Sequence, residues 1–279
     1  MDYSYWGVKE SPFRFGLDPK GFFLSGVHEE ALARLEFLVQ HQRHLGLLVG
    51  AAGLGKSLLL EVFSHKMRRA GCRVAQICAA GASRHEWLWD ILGSLGRSAK
   101  PETSLSLLWP EVFDRFREAY FMRTPVVLLC DQMESAAEEG RQVLARLLGY
   151  GSRPGWLLSV VLSGRPEMVG QLDSGLLERV DLRMELEPWD FSETERYLIE
   201  SLARAGRTEP VFTPEAMSRL HELSGGIPRR VAQLADWSLL AGAVQGVTRI
   251  DAEIVEAVDH ELSRARPKTE NVHALSPSP

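Results

Sequence analysis

Lysine is scarce in this sequence. Of 32 basic side chains only six are lysine, at Lys9, Lys20, Lys56, Lys66, Lys100 and Lys268. Positive charge is therefore almost wholly arginine, whose planar fork suits bidentate contacts more than bulk solubility, and each lysine is worth locating individually. Acids outnumber bases, 37 to 32, for a formal net charge of −5. That excludes the overall basic footprint of a protein built to coat a polyanion, though not a local basic patch. Cysteine is limited to Cys72, Cys78 and Cys130, in apolar runs without C-x-x-C spacing. This excludes a disulfide framework, points to a reducing compartment and reads as three small core residues. No apolar run approaches the ~18 residues of a membrane span, and no basic stretch followed by an apolar one opens the chain. The expectation is a cytoplasmic protein without direct membrane insertion. What remains is ordinary: 279 residues, 45% hydrophobic and 25% charged, enough for one large or two small domains.

Residues 1–43 read as an aromatic arm, with Tyr3, Tyr5, Trp6 and Phe13, leading into a helix over 28–40 whose Ala31, Leu35, Leu38 and Val39 share a face. Across 44–190 the pattern alternates. Strands are expected at 45–49, 73–78, 126–130, 157–162 and 182–186, and helices at 56–69, 85–95, 107–121, 139–148 and 166–172. Several of the strands are apolar throughout, as strands buried on both faces are, so the class is α/β with a parallel sheet between helical layers. After Pro188 strand signals stop. Ser192-Glu193-Thr194-Glu195 reads as a capping box, Thr213-Pro214 as a cap before a first-turn proline, Gly225-Gly226 as a helix stop and Asp251 as a final cap. Residues 191–265 are thus expected to form a domain of four helices, and 266–279, polar with three prolines, a disordered tail.

The chemistry concentrates at Gly50-Ala51-Ala52-Gly53-Leu54-Gly55-Lys56-Ser57, which fits G-x-x-x-x-G-K-S/T between an expected strand and helix. In such a loop glycines let backbone N–H groups wrap phosphates, and the first turn, here through Leu58, adds the helix dipole. Lys56 would neutralise the β- and γ-phosphates and Ser57 would hold Mg²⁺. A second magnesium-side acid is needed at the end of a neighbouring apolar strand, and Val126 to Asp131 supplies it in Asp131. The next position is Gln132. ATPases of this type usually carry Glu there to take a proton from the attacking water, and losing a general base costs about 10²–10⁴ in rate. Two readings stand: Glu134 substitutes as base, or Gln132 orients the water by itself.

Ser163, at the tip of the 157–162 strand, is the sensor candidate for the γ-phosphate, with a turn-forming serine as the alternative. Arg179 fits an arginine finger projecting to a neighbouring subunit's nucleotide, with a surface ion pair as the alternative. Arg229 begins a helix after Gly225-Gly226-Ile227-Pro228 and could fold onto the same phosphates, which leaves Arg230 structural. His41 and His44 have helical spacing but no third ligand. Trp87 and Trp89 read as one core and one surface aromatic rather than a base-stacking platform.

A resemblance runs through these residues. Tyr5-Trp6-Gly7-Val8-Lys9-Glu10-Ser11-Pro12-Phe13, Asp18-Pro19, Phe22-Phe23-Leu24-Ser25, His28-Glu29-Glu30-Ala31-Leu32, Leu162-Ser163-Gly164-Arg165-Pro166-Glu167 and Leu223-Ser224-Gly225-Gly226-Ile227-Pro228-Arg229 are similar to the general secretion pathway protein A family of AAA+ ATPases. The resemblance implies a P-loop NTPase core of three layers followed by an all-α lid, binding MgATP between subunits of a homo-oligomeric ring or filament. It assigns Lys56 and Ser57 to the phosphate loop, Asp131 to magnesium, Arg229 to the lid sensor, and Pro12 with the aromatic arm to the adenine side. Secretion relatives couple the module to a membrane helix and a peptidoglycan-binding domain. Here the sequence stops after a short tail, so a cell-wall role is expected to act through a protein partner. The family usually reads Asp-Glu-x-Gln where this chain has Asp131-Gln132-Met133-Glu134, with Glu and Gln interchanged. Three functions follow: a slow ATPase driving assembly or remodelling of a partner complex, an ATP-loaded scaffold, or a DNA-binding regulator like a related branch that serves transposition.

Overall fold

The computed structural model describes residues 3–13, 16–97, 100, 102–151 and 156–264. The expected tail at 266–279 lies outside the described residues. Contacts divide the chain into two compact units, 16–188 and 1–15 with 189–279.

The 16–188 unit runs α1 (Gly26–Gln40), β1 (Leu45–Gly50), α2 (Lys56–Arg69), β2 (Arg73–Cys78), α3 (Arg84–Ser94), α4 (Leu105–Phe121), β3 (Val126–Asp131), α5 (Glu138–Gly151), β4 (Leu158–Gly164), α6 (Ser174–Leu177) and β5 (Leu182–Leu186). The strands form one parallel sheet in the order β2-β3-β4-β1-β5. This order explains the composition of each strand. The inner strands β1, β3 and β4 are buried along their whole length, whereas the edges β2 and β5 carry exposed positions. On one face Leu45, Leu47 and Val49 join Leu128, Val160 and Leu162 in a core with Trp87 and Ile91 of α3, Val112 and Phe116 of α4 and Leu144 of α5. On the other, a side chain at Gly46 would collide with Leu38 of α1. Helix, sheet and helix are the three layers.

Edge position also corrects the cysteine reading. Cys130 on β3 is buried, but Cys72 before β2 is half-buried and Cys78 at its end is exposed. The helix expected at 166–172 is a 3-10 turn over Pro166–Gln171, with α6 following as a separate helix capped by Asp173. Trp87 is fully buried and Trp89 is 42% exposed.

The other unit holds α7 (Phe191–Arg204), α8 (Pro214–Ser224), α9 (Pro228–Gln245) and α10 (Ala252–Arg264). Thr213 caps α8 with Pro214 in the first turn, Gly225 closes it in the left-handed region, and Asp251 caps α10. The capping box at Ser192 does not form. Asp190 caps α7 instead, its carboxylate accepting the Glu193 N–H at 2.8 Å, because the helix starts two residues earlier than that box requires. Residues 3–13 belong to this unit, so the stretch 1–43 is not one segment: the arm packs with α7 and α9 while α1 packs with the sheet. Phe13 is fully buried beside Tyr197 and Phe212. The Trp6 indole donates to the Leu239 carbonyl at 2.8 Å, and Tyr3 and Ser11 both donate to the buried Asp236 carboxylate. Burial first, then the Asp236 carboxylate beside it, pushes the Tyr3 hydroxyl above its ordinary pKa.

Candidate functional site

β1 ends at Gly50 and delivers the chain into a tight turn that enters α2 at Lys56. Gly53 and Gly55 take φ of 89° and 86°, conformations open to glycine at little steric cost. Leu54 is buried beneath the turn, Ala51 and Ala52 are exposed, and Ser57 and Leu58 in the first turn of α2 are half-buried. The Lys56 ammonium donates to the loop's own carbonyls, Gly50 at 2.6 Å and Ala51 at 2.9 Å. Loop, lysine and helix N-terminus thus stand together, an arrangement whose chemistry suits phosphate groups.

The sheet brings the second half of the site alongside. β4 lies between β1 and β3, with Val49 opposite Gly164 and Cys130 opposite Leu162. The carboxyl ends of the three strands are thus neighbours, where α/β sheets bind ligands. Asp131, at the end of β3, is buried, and its carboxylate accepts from Ser57 at 2.5 Å, from Ser163 at 2.8 Å and from the Gln132 N–H at 2.9 Å. Asp131, Ser57 and Ser163 come from three separate stretches of sequence and converge on one carboxylate. The same burial, with the Asp131 charge adding to it, pushes the Cys130 thiol well above its usual range and leaves it inert.

Gln132 is exposed, in the left-handed region at φ 58°. Glu134 follows in a 3-10 turn, and Arg165, just past β4, grips its carboxylate through its backbone N–H at 3.2 Å and its side-chain Nε at 3.0 Å. Partial burial alone would raise the Glu134 carboxyl, but N–H donors from its own backbone and from Arg165, with the guanidinium charge, outweigh it and hold the pKa below the ordinary value. The sequence carried no local sign of this pair, since the two residues are 31 positions apart.

Of the other expected site residues, Arg179 is exposed between α6 and β5. Pro12, half-buried in the arm, and Arg229, exposed in the first turn of α9, lie in the other unit, and Arg230 is tied to Gln233 and Asp259. His41 and His44 each face a backbone carbonyl, of Phe37 and Leu158. No helix among the described residues is long and apolar enough to cross a membrane.

Residues 39–172 match the AAA domain family. Over 266 residues the chain is 28% identical to general secretion pathway protein A of Aeromonas hydrophila, covering 94% of this chain and 48% of that protein. It therefore spans about half the length of that relative. Among solved structures it is similar to Cdc6p from Pyrobaculum aerophilum, with TM-score 0.68 and 18% identity over 94% of this chain and 71% of the other. It is also similar to the ORC2 protein of Aeropyrum pernix, with TM-score 0.67 and 15% identity over 99% and 75%. At these identities the two structures speak for fold. A parallel sheet that opens into a glycine loop at the end of β1, an AAA match over four of its five strands and a likeness spanning nearly all of the sequence give this chain the AAA+ P-loop fold and a resemblance to general secretion pathway protein A.

Proposed function

We propose that the chain binds MgATP on the loop from Gly50 to Leu58 and hydrolyses it slowly as a homo-oligomer, using the cycle to assemble or remodel a protein complex of the secretion type. The observation that carries this reading is the convergence of the Ser57 and Ser163 hydroxyls on Asp131 at the carboxyl ends of β1, β3 and β4. The donor set suits Mg²⁺. One carboxylate and one hydroxyl are hard oxygen ligands of the kind that share this ion with waters and substrate phosphates, and no group of three or more His, Cys, Asp or Glu among the described residues forms a separate cage. When bound, Mg²⁺ supplies charge neutralisation at the phosphates.

The chain's own residues do the rest. Backbone N–H groups of the loop bind the phosphates, and Lys56 exchanges the Gly50 and Ala51 carbonyls for phosphate oxygens. Ser163 orients Asp131 and serves as the sensor of the γ-phosphate. Arg179 acts as a finger toward a neighbouring subunit, Arg229 as the lid sensor, and Pro12 flanks the adenine. Two positions make turnover slow: Gln132 is a neutral amide, and the ionised Glu134 is held by Arg165 instead of standing free as a base. Nucleotide is the substrate class that the phosphate loop suits, and the ORC2 protein of Aeropyrum pernix was solved as ADPNP-ADP complexes. The Glu134–Arg165 pair also favours a second reading, an ATP-loaded scaffold that does not turn over. Steady-state ATP hydrolysis across protein concentration, with Lys56→Ala as blank, separates the two. Slow turnover that depends on Lys56 supports the enzyme; ATP-dependent oligomers without turnover support the scaffold.

A further inference from the structure

We propose that His28, far from the phosphate loop in sequence, is the positioning residue that sets the loop's central peptide; the inference rests on reading that loop as a nucleotide site. His28 sits in the first turn of α1 and is buried, 3% exposed. Its Nε2 lies 2.9 Å from the carbonyl oxygen of Leu54. A carbonyl can only accept, so Nε2 carries the proton. On the other side of the ring Nδ1 is 2.6 Å from the Ser25 hydroxyl, and the same oxygen accepts the His28 backbone N–H at 3.4 Å as the cap of α1. Ser25 thus donates its proton to Nδ1, and the hydroxyl fixes the tautomer that the Leu54 carbonyl needs. Phe22 packs its ring edge-on at 5.5 Å and 82°, which holds the plane of the imidazole.

The consequence for the loop follows from the peptide bond. The Leu54 carbonyl and the Gly55 N–H belong to one planar trans unit and point in opposite directions. A carbonyl drawn toward α1 therefore turns the Gly55 N–H away from α1, toward the side on which a phosphate is bound. Gly55 itself is matched to the histidine. At φ 86° it is in a conformation side chains rarely adopt, and a Cβ there would stand 2.9 Å from His28 Nε2. The imidazole fills the space that a side chain at position 55 would need, and supplies in return the hydrogen bond that fixes the peptide. His28 touches no substrate; it acts through the loop.

The test uses the full chain with Mg²⁺ADP as probe, at a temperature where circular dichroism shows each variant folded. His28→Leu keeps apolar volume without a donor, and His28→Gln returns an N–H on a side chain of similar reach. The expected result is an ADP Kd raised about tenfold in His28→Leu, the scale of one neutral hydrogen bond, and substantially restored in His28→Gln, with a smaller loss in Ser25→Ala. Hydrogen exchange of the 50–58 segment without nucleotide should quicken in His28→Leu while exchange in α4 is unchanged. Wild-type affinity and unchanged loop exchange in His28→Leu would overturn the proposal, as would affinity in His28→Gln no better than in His28→Leu. Should the wild-type chain bind no ADP, the nucleotide reading falls, and loop exchange still decides whether His28 sets the peptide.

Discussion

Asp131 and Glu134 lie close together after one strand, yet their surroundings give them different work. Asp131 collects two hydroxyls and a backbone N–H, which keep its carboxylate at the strand end where the proposed magnesium would sit. Glu134 is spent on Arg165. If the missing carboxylate at 132 limits turnover, Gln132→Glu should raise the ATPase rate by about 100-fold, the lower end of what a general base supplies, while Glu134→Gln leaves the rate as it was. A rate assay on the two variants decides between the base candidates. The pair also has a pH signature. Because the folded Glu134 carboxyl lies below its ordinary value of 4.5, its contribution to stability is full above that value and is lost as pH falls through the lowered folded pKa. Urea midpoints should therefore differ between wild type and Glu134→Gln at pH 7, and converge at acid pH below the folded pKa. The loop, Lys56, Ser57 and Asp131 were legible because the motif is contiguous and the acid ends an apolar strand. Arg165 and His28 were not, since their roles depend on partners brought close only by the fold.

Among the elements, β1 and β3 announced themselves through unbroken apolar runs, β4 through one broken only by Ser159, and the edge strand β5 through alternation. Helix starts were harder. Asp190 and Ser192 both precede a glutamate at the spacing that caps a helix, so local chemistry permits either, and the point at which the chain turns into α7 selects Asp190. The glycine pair after α8 separates two kinds of necessity. Both residues are in the left-handed region, but a Cβ at Gly225 meets nothing, whereas one at Gly226 would lie 2.1 Å from the Trp189 carbonyl oxygen. Gly225→Ala should cost about 1 kcal/mol from backbone conformation alone. Gly226→Ala must also displace backbone and should cost about 3 kcal/mol or more. Thermal unfolding of the two variants checks the difference.

At the scale of the molecule, the proposed sharing of the site between subunits would make turnover depend on association. Specific activity should rise with protein concentration, and Arg179→Ala should remove the rise. Mixing Arg179→Ala with Lys56→Ala chains should then recover activity that neither has alone, because one contributes an intact loop and the other an intact finger. Failure of the mixture to recover would place each site within a single chain. The arm on the helical unit is the other large-scale feature, and its anchor is measurable: Asp236→Ala leaves the Tyr3 and Ser11 hydroxyls without their acceptor, at about 1–3 kcal/mol.

That arm also sets a schedule for synthesis. Tyr3 and Trp6 find their partners, Asp236 and Leu239, 233 residues later in the chain. At ribosomal rates of about 5–20 residues per second, the aromatic arm waits some ~10–50 s for α9 to appear. The sheet and its phosphate loop can be complete in that interval, while Trp6, Phe13 and their neighbours have no helical surface to cover them. A nascent chain halted between β5 and α7 would therefore display a finished α/β core and an uncovered aromatic segment, the kind of surface that chaperones retain.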